Sequence, residues 1–277
     1  MQKLVEFSRR YGSNPELVLA GGGNTSMKEG GILYIKGSGC SLSTIRSVDF
    51  VAMDMEKLLT ICRKKYPNED KEREAMFLAD VNSARLPGEE HKRPSVETLL
   101  HALFPQRYVL HLHPALINGL TCGEDGQRAA AELFPGVIWV NACRPGYTLA
   151  KLLADKIGPD SNTVLLQNHG VFFASDTPEG LEKLLHNMMT TLKAELPGEL
   201  PEKLDEVDLS RPFTPDHIVY CGIGPELPDT KNARLLYLDA QKINWYSRSF
   251  GGPHPLSEEL VSFILNWEAE SYRKKQA

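Results

Sequence analysis

The sequence predicts a layered α/β protein, because short strand-like runs and longer helix-like segments alternate along its first two thirds. The strand-like runs, as at residues 32–35 and 108–110, combine apolar residues with β-branched or aromatic ones. The segments between them carry apolar residues at the spacing of one helix face. This alternation favours helices packed on a sheet.

The predicted elements begin with an N-terminal helix, strands near residues 17–20, 31–36 and 49–53, and helices near 54–66 and 69–83. Pro94 or Ser95 opens the next helix, since both residue types are common where a helix begins. The run at 108–110 then forms a strand, which Pro114 ends because it lacks a backbone donor. The remaining predictions for this part are a helix near 125–134, a strand near 136–140, a helix near 148–157, two strands around His169, and a helix to about residue 195.

The composition of the sequence changes after Leu196, because prolines become frequent from there on. Two runs there, at 218–220 and 235–238, resemble strands. Residues 255–275 have the pattern of an amphipathic helix, whose predicted inner face comprises Leu260, Ile264, Leu265 and Trp267. We therefore predict one domain over residues 1–195 and an extension over 196–277 packed on it. The extension either shapes the substrate pocket or subunit contacts, or covers a sheet edge.

The composition disfavours several classes of protein. Among 277 residues, 31 basic and 36 acidic side chains give a formal net charge of −5, which disfavours a nucleic-acid partner. The N-terminus lacks the apolar stretch of a signal peptide, and no run is long enough to span a membrane. The five cysteines are odd in number and scattered, as is typical of a reducing cytoplasm. We expect a cytoplasmic, soluble protein.

Three histidines form the most informative pattern. In an extended segment, side chains two residues apart point to the same face, so His111 and His113 can present their imidazoles to one ion. His169 follows a second apolar run, at 163–166, and is expected at the end of another strand. Three neutral imidazoles suit zinc and leave a position for water or substrate. Mn²⁺, Co²⁺ and Fe²⁺ also accept nitrogen and oxygen ligands.

Glu97 is predicted to lie in the first turn of the helix that Pro94 or Ser95 opens. A carboxylate there is ordinarily a favourable partner of the helix dipole. A second interpretation is a metal contact or a proton-transfer base. The sequence leaves both open.

Two small-residue turns near the N-terminus are candidate phosphate-binding loops. They are Gly21-Gly22-Gly23-Asn24-Thr25-Ser26 and Gly37-Ser38-Gly39-Cys40-Ser41. Exposed backbone N–H groups beside hydroxyl and amide side chains suit a phosphate, but the same residue types are common in hairpin turns. Neither turn is a dinucleotide or P-loop fingerprint.

In their order along residues 1–195, these motifs resemble the class II aldolase/adducin family. The matching motifs are Gly-Asn-Thr-Ser, Ile-Lys-Gly-Ser-Gly, Pro-Ser-Val-Glu-Thr, His-Leu-His-Pro and Leu-Leu-Gln-Asn-His-Gly. Within the family, which includes L-fuculose-1-phosphate aldolases and L-ribulose-5-phosphate 4-epimerases, the chain is most similar to the L-rhamnulose-1-phosphate aldolase branch. The resemblance implies a three-layer α/β/α domain with a central, largely antiparallel sheet, and a homotetramer.

The resemblance also implies a role for each matched residue. His111, His113 and His169 fall on the family's zinc ligands, and Glu97 falls on its proton-transfer residue. Five further residues fall on positions that hold the substrate phosphate: Asn24, Thr25, Ser38, Gly39 and Ser95. Val96 stands where many relatives have a second Ser, so part of the phosphate contact is missing or replaced.

The implied activity is that of a lyase. A ketose 1-phosphate is cleaved reversibly to dihydroxyacetone phosphate and a short aldehyde, with zinc on the carbonyl and hydroxyl oxygens and Glu97 moving the proton. Two alternatives stay open: a pentulose-5-phosphate 4-epimerase, and a non-catalytic adducin-like scaffold. Glu97, where epimerases have Asp, favours the aldolase.

Overall fold

The computed structural model of the protein describes residues 1–267, and seven strands in this range form one sheet. In chain order, the strands are Asn24–Glu29 (β1), Ile32–Lys36 (β2), Phe50–Asp54 (β3), Tyr108–Leu112 (β4), Ile138–Val140 (β5), Thr163–Leu166 (β6) and Gly170–Ser175 (β7). Their order across the sheet is β3-β2-β1-β4-β7-β6-β5. All neighbours are antiparallel except β5 and β6, which are parallel. The prediction of a central, largely antiparallel sheet is confirmed.

Helices flank this sheet and extend beyond it. In chain order, they are Gln2–Gly12 (α1), Met55–Arg63 (α2), Asp70–Ser83 (α3), Thr98–Leu103 (α4), Ala115–Thr121 (α5), Gly126–Leu133 (α6), Tyr147–Ala154 (α7), Pro178–Ala194 (α8), Pro215–Cys221 (α9), Lys231–Tyr246 (α10) and Glu258–Asn266 (α11). Several begin at a side-chain cap, as where the Thr177 hydroxyl accepts a hydrogen bond from the Gly180 amide. Within residues 1–267, no helix combines the length and apolar character needed to cross a membrane.

The middle strand, β4, divides the core into two layers. Successive side chains of a strand point to opposite faces, so Tyr108, Leu110 and Leu112 pack with α1, α5 and α8, whereas Val109 packs with α2, α4 and α7. All five side chains of β4 are buried. The α/β/α architecture is therefore confirmed, and the strand that carries His111 lies at its centre.

The predicted strand at residues 17–20 is wrong. After α1 the chain continues in a turn, in which the amides of Leu17 and Val18 both donate to the Asn14 carbonyl, each at 3.0 Å. Ala20 has a positive φ of 48°, which interrupts extended backbone. Leu17 and Val18 are buried in the core, and Leu19 and Ala20 are partly buried, but none of the four is paired in the sheet. The first strand begins only at Asn24, so the second half of the predicted glycine turn is strand.

The two strand-like runs of the extension are also wrong, because residues 218–220 belong to α9 and residues 235–238 to α10. Short apolar runs do not distinguish a strand from a buried helix. Ile218 packs with residues of α11, while Val219 and Tyr220 pack with Leu236 of α10. Helix α9 is therefore buried on more than one side, which hides its helical period.

The predicted C-terminal helix is confirmed in part. It begins after Ser257, whose hydroxyl accepts from the Leu260 amide at 3.3 Å, and ends at Asn266. Ile264 is buried as expected, but Leu265 is 42% exposed and does not belong to the inner face. The remainder of the prediction, residues 268–275, lies outside the described residues.

The extension is attached to the sheet domain through its helices and through ion pairs. Helix α10 packs against α5 and α9, and α11 packs against α9. Arg144 pairs with Asp70 at the start of α3 and, at 2.7 Å, with Glu259 of α11. The Gly21 amide donates to the Tyr220 hydroxyl at 3.2 Å, which brings α9 over the first glycine turn.

Candidate metal centre

His111 lies on β4, opposite Asn24 of β1 and Phe172 of β7 in the sheet register. Its imidazole is fully buried and stacks on the Phe172 ring, with 4.0 Å between ring centroids. Its Nδ1 lies 2.9 Å from the Val171 carbonyl. Because a carbonyl only accepts, Nδ1 carries the proton and Nε2 presents a lone pair. The ring is thus oriented as a ligand.

His113 follows the end of β4 and directs its ring toward His111. The two Nε2 atoms are 2.7 Å apart. Its Nδ1 lies 2.7 Å from an Asp216 carboxylate oxygen, so this Nδ1 also carries the proton. Two lone pairs then face each other, an arrangement that a cation between them would stabilise.

His169 reaches the same point from the turn between β6 and β7. This turn depends on Asn168, whose φ of +57° is left-handed and is better tolerated by Asn than by most residues. One ligand atom from each of the three histidines lies within 4.8 Å of the others. Burial lowers the pKa of His169 to about 3, which keeps the ring neutral and able to donate a lone pair.

Glu97 faces the three imidazoles. Its Oε1 lies 3.0 Å from His111 Nε2 and 3.3 Å from His169 Nε2. Among residues 1–267, no donor makes a hydrogen bond to this buried oxygen. Burial alone would raise the pKa of Glu97, but the neighbouring His111, His169 and His113 outweigh burial and hold the pKa well below its usual range. The carboxylate is therefore ionised and directed at the cluster.

The contacts of Glu97 differ from those of a helix-capping residue. Glu97 is the residue before α4 rather than a member of its first turn, and its side chain makes no capping hydrogen bond. Its Oε2 instead accepts from Asn24 Nδ2 at 2.5 Å. Asn24 in turn bonds His101, whose Nδ1 lies 2.7 Å from the Ser26 hydroxyl. A buried polar network therefore fixes Glu97 in place.

The donor set fits a divalent metal ion. Three neutral imidazoles and one carboxylate oxygen are typical ligands of zinc and related ions. The unpartnered Glu97 oxygen and the facing Nε2 lone pairs are both satisfied by a cation at their common centre. His111 and His113 each have a hydrogen-bonded Nδ1 behind the ligand atom, as metal-binding histidines usually do.

The five predicted phosphate residues fall into separate groups. Ser38 and Ser95 lie on adjoining segments, since the Ser38 amide donates to the Arg93 carbonyl at 2.8 Å and the Ser95 amide to the Lys36 carbonyl at 3.1 Å. Gly39 is exposed beside them, with a φ of +84°. Asn24 contacts Glu97 instead, and the Thr25 hydroxyl is buried 2.7 Å from that of Ser8.

Asp216 is the residue that the sequence did not reveal. It lies in the extension, 103 residues after His113, and only 4% of its surface is exposed. An acidic residue after Thr-Pro is a common helix start, so its sequence context gives no sign of a contact with a histidine on the sheet.

A three-layer α/β/α fold with a buried centre of three histidines and one glutamate defines a metal-dependent class of protein. The chain belongs to the class II aldolase and adducin family: the family model described as "Class II Aldolase and Adducin N-terminal domain" matches residues 2–196. Class II aldolases use a divalent metal, and the cluster of His111, His113 and His169 fits that use.

Two curated relatives and one solved structure illustrate the similarity. The "Uncharacterized oxidoreductase YuxG" of Bacillus subtilis is 31% identical over 192 residues, which cover 65% of this chain and 27% of that protein. The methylthioribulose-1-phosphate dehydratase of Aquarana catesbeiana is 27% identical over 161 residues, covering 57% of this chain and 67% of the relative. The N-terminal class II aldolase domain of a conserved protein from Thermoplasma acidophilum has a TM-score of 0.61 and 29% identity, covering 69% of this chain and 91% of that one. The match therefore spans little more than a quarter of the Bacillus protein.

Proposed function

We propose that the protein is a zinc-dependent class II aldolase that reversibly cleaves a ketose 1-phosphate of the rhamnulose or fuculose type to dihydroxyacetone phosphate and an aldehyde. The observation that carries the proposal is the ionised Glu97 carboxylate, whose Oε1 lies 3.0 Å and 3.3 Å from two candidate ligand nitrogens. A metal-dependent aldolase needs a base at this place, beside the ion and out of water.

His111, His113 and His169 would hold the ion. When bound, a divalent cation supplies Lewis-acid polarisation of the substrate's carbonyl and hydroxyl oxygens. Zinc is proposed over Mn²⁺, Co²⁺ or Fe²⁺ because all three side-chain ligands are imidazoles.

Glu97 is assigned the proton at C3 of the ketose. In the cleavage direction, the ionised Glu97 takes the proton of the C4 hydroxyl as the C3–C4 bond breaks and the aldehyde leaves, and Glu97 then delivers this proton to C3. In the reverse direction, Glu97 takes the C3 proton, for which its ionised state is suited. Asn24 keeps the carboxylate in position through the 2.5 Å hydrogen bond to Oε2.

Ser38, Gly39 and Ser95 are proposed to bind the phosphate. The amides of Ser38 and Ser95 already donate to backbone carbonyls, so the groups offered to the phosphate are the two serine hydroxyls and the exposed turn at Gly39 between them. Asn24 and Thr25 were predicted for the same role, and their contacts with Glu97 and Ser8 favour support of the site instead.

A small pocket beside the centre supports a substrate with an apolar end. Glu97 and His169 form one side of it. The other walls are mainly apolar and include Leu99, Leu100, Leu149, Ala150 and Pro215. The methyl group of a 6-deoxyketose, or of the aldehyde it releases, matches these walls better than a hydroxymethyl group does.

The test combines metal analysis of the purified protein with a coupled assay for dihydroxyacetone phosphate. L-rhamnulose 1-phosphate, L-fuculose 1-phosphate and L-ribulose 5-phosphate are the substrates. Zinc together with dihydroxyacetone phosphate from a deoxyketose supports the proposal. Formation of a stereoisomer without cleavage would indicate the 4-epimerase, and absence of both metal and turnover would indicate the adducin-like scaffold.

A dehydratase is the second candidate, favoured by the similarity to the Aquarana catesbeiana methylthioribulose-1-phosphate dehydratase. A metal ion and a base next to a carbonyl also serve the removal of water, because both reactions begin with charge developing on the carbon next to the carbonyl. Incubation with methylthioribulose 1-phosphate distinguishes the two: a dehydratase consumes it without releasing dihydroxyacetone phosphate.

The resemblance to the family further leads us to propose a cytoplasmic homotetramer. Light scattering coupled to size-exclusion chromatography tests the assembly against the monomer mass of 30.9 kDa.

A further inference from the structure

Helix α9 of the extension lies over the end of β4 and over the first glycine turn. Asp216 in this helix places its Oδ2 2.7 Å from Nδ1 of His113. The same oxygen would lie 3.2 Å from a Cβ added at Gly22, so the carboxylate fits closely against the turn. Asp216 is nearly fully buried, and its position is therefore set by packing.

This contact determines which nitrogen of His113 is available to a metal. An ionised carboxylate only accepts hydrogen bonds, so it requires the proton on Nδ1 and leaves the lone pair on Nε2. Carboxylates behind metal-binding histidines generally orient the ring in this way. His111 is oriented differently, by the neutral carbonyl of Val171.

The extension is built so that Asp216 stays in this position. On one side of α9, the Tyr220 hydroxyl accepts from the Gly21 amide at 3.2 Å. On another, Nε2 of His217 lies 3.3 Å from Oδ2 of Asp239 in α10. Ile218 is buried with residues of α11. Helix α9 is thus held by the glycine turn, α10 and α11 together.

We propose that Asp216 is a positioning residue of the metal centre, and that the extension thereby completes a site whose ligands all lie within residues 2–196. The inference rests on the metal centre of the proposed function and deepens it. Asp216 does not touch the ion or the substrate. It acts through His113, by fixing the tautomer and the orientation of the ring.

The first measurement is the affinity for Zn²⁺ and Co²⁺, determined by competition with a chelator at one pH. Loss of a hydrogen-bonding partner behind a metal ligand typically costs about 10- to 100-fold in affinity. We expect such a loss in Asp216→Ala and a smaller one in Asp216→Asn, which can still accept a hydrogen bond from Nδ1. The Co²⁺ absorption spectrum should change in both variants.

Asp239→Asn is the matched control, because Asp239 is also a buried carboxylate of the extension that contacts a histidine. We expect it to lose less metal affinity than Asp216→Asn, because it weakens only one of the contacts that hold α9 and leaves the Asp216 carboxylate on His113. A loss equal to that of Asp216→Asn would show that loosening of the extension alone is responsible and would overturn the proposal. Wild-type metal affinity in both Asp216 variants would also overturn the proposal.

A second readout needs no metal. Long-range ¹H–¹⁵N spectra of the apo-protein report which ring nitrogen of His113 is protonated. We expect the Nδ1–H form in the wild type and a shift toward the Nε2–H form in Asp216→Ala; Asp216→Asn serves if the alanine variant does not fold. An unchanged tautomer would contradict the assigned role. If the wild type binds no metal but the tautomer of His113 still changes in Asp216→Ala, the proposed function is rejected, whereas the role of Asp216 toward His113 is supported.

Discussion

Gly170 lies directly against His113 and leaves no room for a side chain. A Cβ added at Gly170 would come within 2.7 Å of Cδ2 of His113 and 2.4 Å of the Leu112 carbonyl oxygen. Gly170 is the first residue of β7 and directly follows His169. The preceding residue, Asn168, has a left-handed backbone conformation. The absence of a side chain at this one position thus allows two strands to bring their histidines together.

Gly170→Ala should therefore weaken both the fold and the metal centre. Overpacking of this kind typically costs about 1–3 kcal/mol, and the displaced His113 ring should lower metal affinity as well. Urea unfolding and chelator competition measure the two effects. Gly158→Ala is the control, since its Cβ would meet nothing closer than 3.8 Å and should leave metal affinity unchanged. Equal metal affinity in both variants would contradict the assigned packing role.

His113→Ala should lose bound metal and activity together, because one of three imidazole ligands is removed. Metal content by mass spectrometry of the intact protein and turnover of the preferred ketose phosphate are the measurements. His186→Ala is the control, because His186 is an exposed residue of α8 and is not among the three clustered histidines. Wild-type turnover in His113→Ala would rule out the metal mechanism.

Much of the fold follows from local patterns. The strand that carries His111 is predictable because its side chains are apolar on both faces, and its end is marked by Pro114. The runs at 17–20 and 218–220 misled the prediction because buried turns and buried helices are as apolar as strands. The spacing of apolar residues and the length of the segment normally distinguish a strand from a helix, but three or four residues are too few to show either.

The candidate ligands were predictable because they lie two residues apart or in a motif of adjacent residues. Asp216 was not, because its role arises from a contact across 103 residues of chain. For Thr25, the motif predicts a role that its contacts in the structure do not favour. Its family position implies phosphate binding, but strand alternation directs its hydroxyl to Ser8 on α1.

Glu97→Gln should bind metal but lose proton exchange at C3 of dihydroxyacetone phosphate. An amide cannot take up the proton, and loss of a general acid–base group typically costs about 10²- to 10⁴-fold in rate. Exchange in deuterated water, followed by NMR, isolates this step from carbon–carbon bond cleavage. The exposed Glu132 provides the control variant Glu132→Gln. Normal exchange in Glu97→Gln would remove the assigned role.

Ser38→Ala should raise KM for a phosphorylated substrate by about 10-fold, the value of a hydrogen bond to a charged group. KM for the same sugar without phosphate should stay unchanged. Thr25→Val provides the contrast, because the Thr25 hydroxyl is committed to Ser8 and its loss should affect stability without changing discrimination between the two substrates. If Thr25→Val raised KM only for the phosphorylated substrate and Ser38→Ala did not, Thr25 rather than Ser38 would be assigned to phosphate binding.

Lys28 on β1 should make stability depend on pH above neutrality. Burial lowers its pKa to about 7, and its ammonium group donates to the Gln106 carbonyl at 3.0 Å. Between pH 7 and the ordinary lysine pKa of 10.5, the unfolded chain binds a proton at Lys28 that the folded chain does not. The free energy of unfolding must therefore rise with pH across this window, and the gain is lost as the pH falls through 7. Lys28→Met removes the proton-binding group, so urea unfolding at pH 7 and pH 9 should give a larger increase for the wild type than for the variant. Equal increases would show that Lys28 keeps its ordinary pKa in the folded protein.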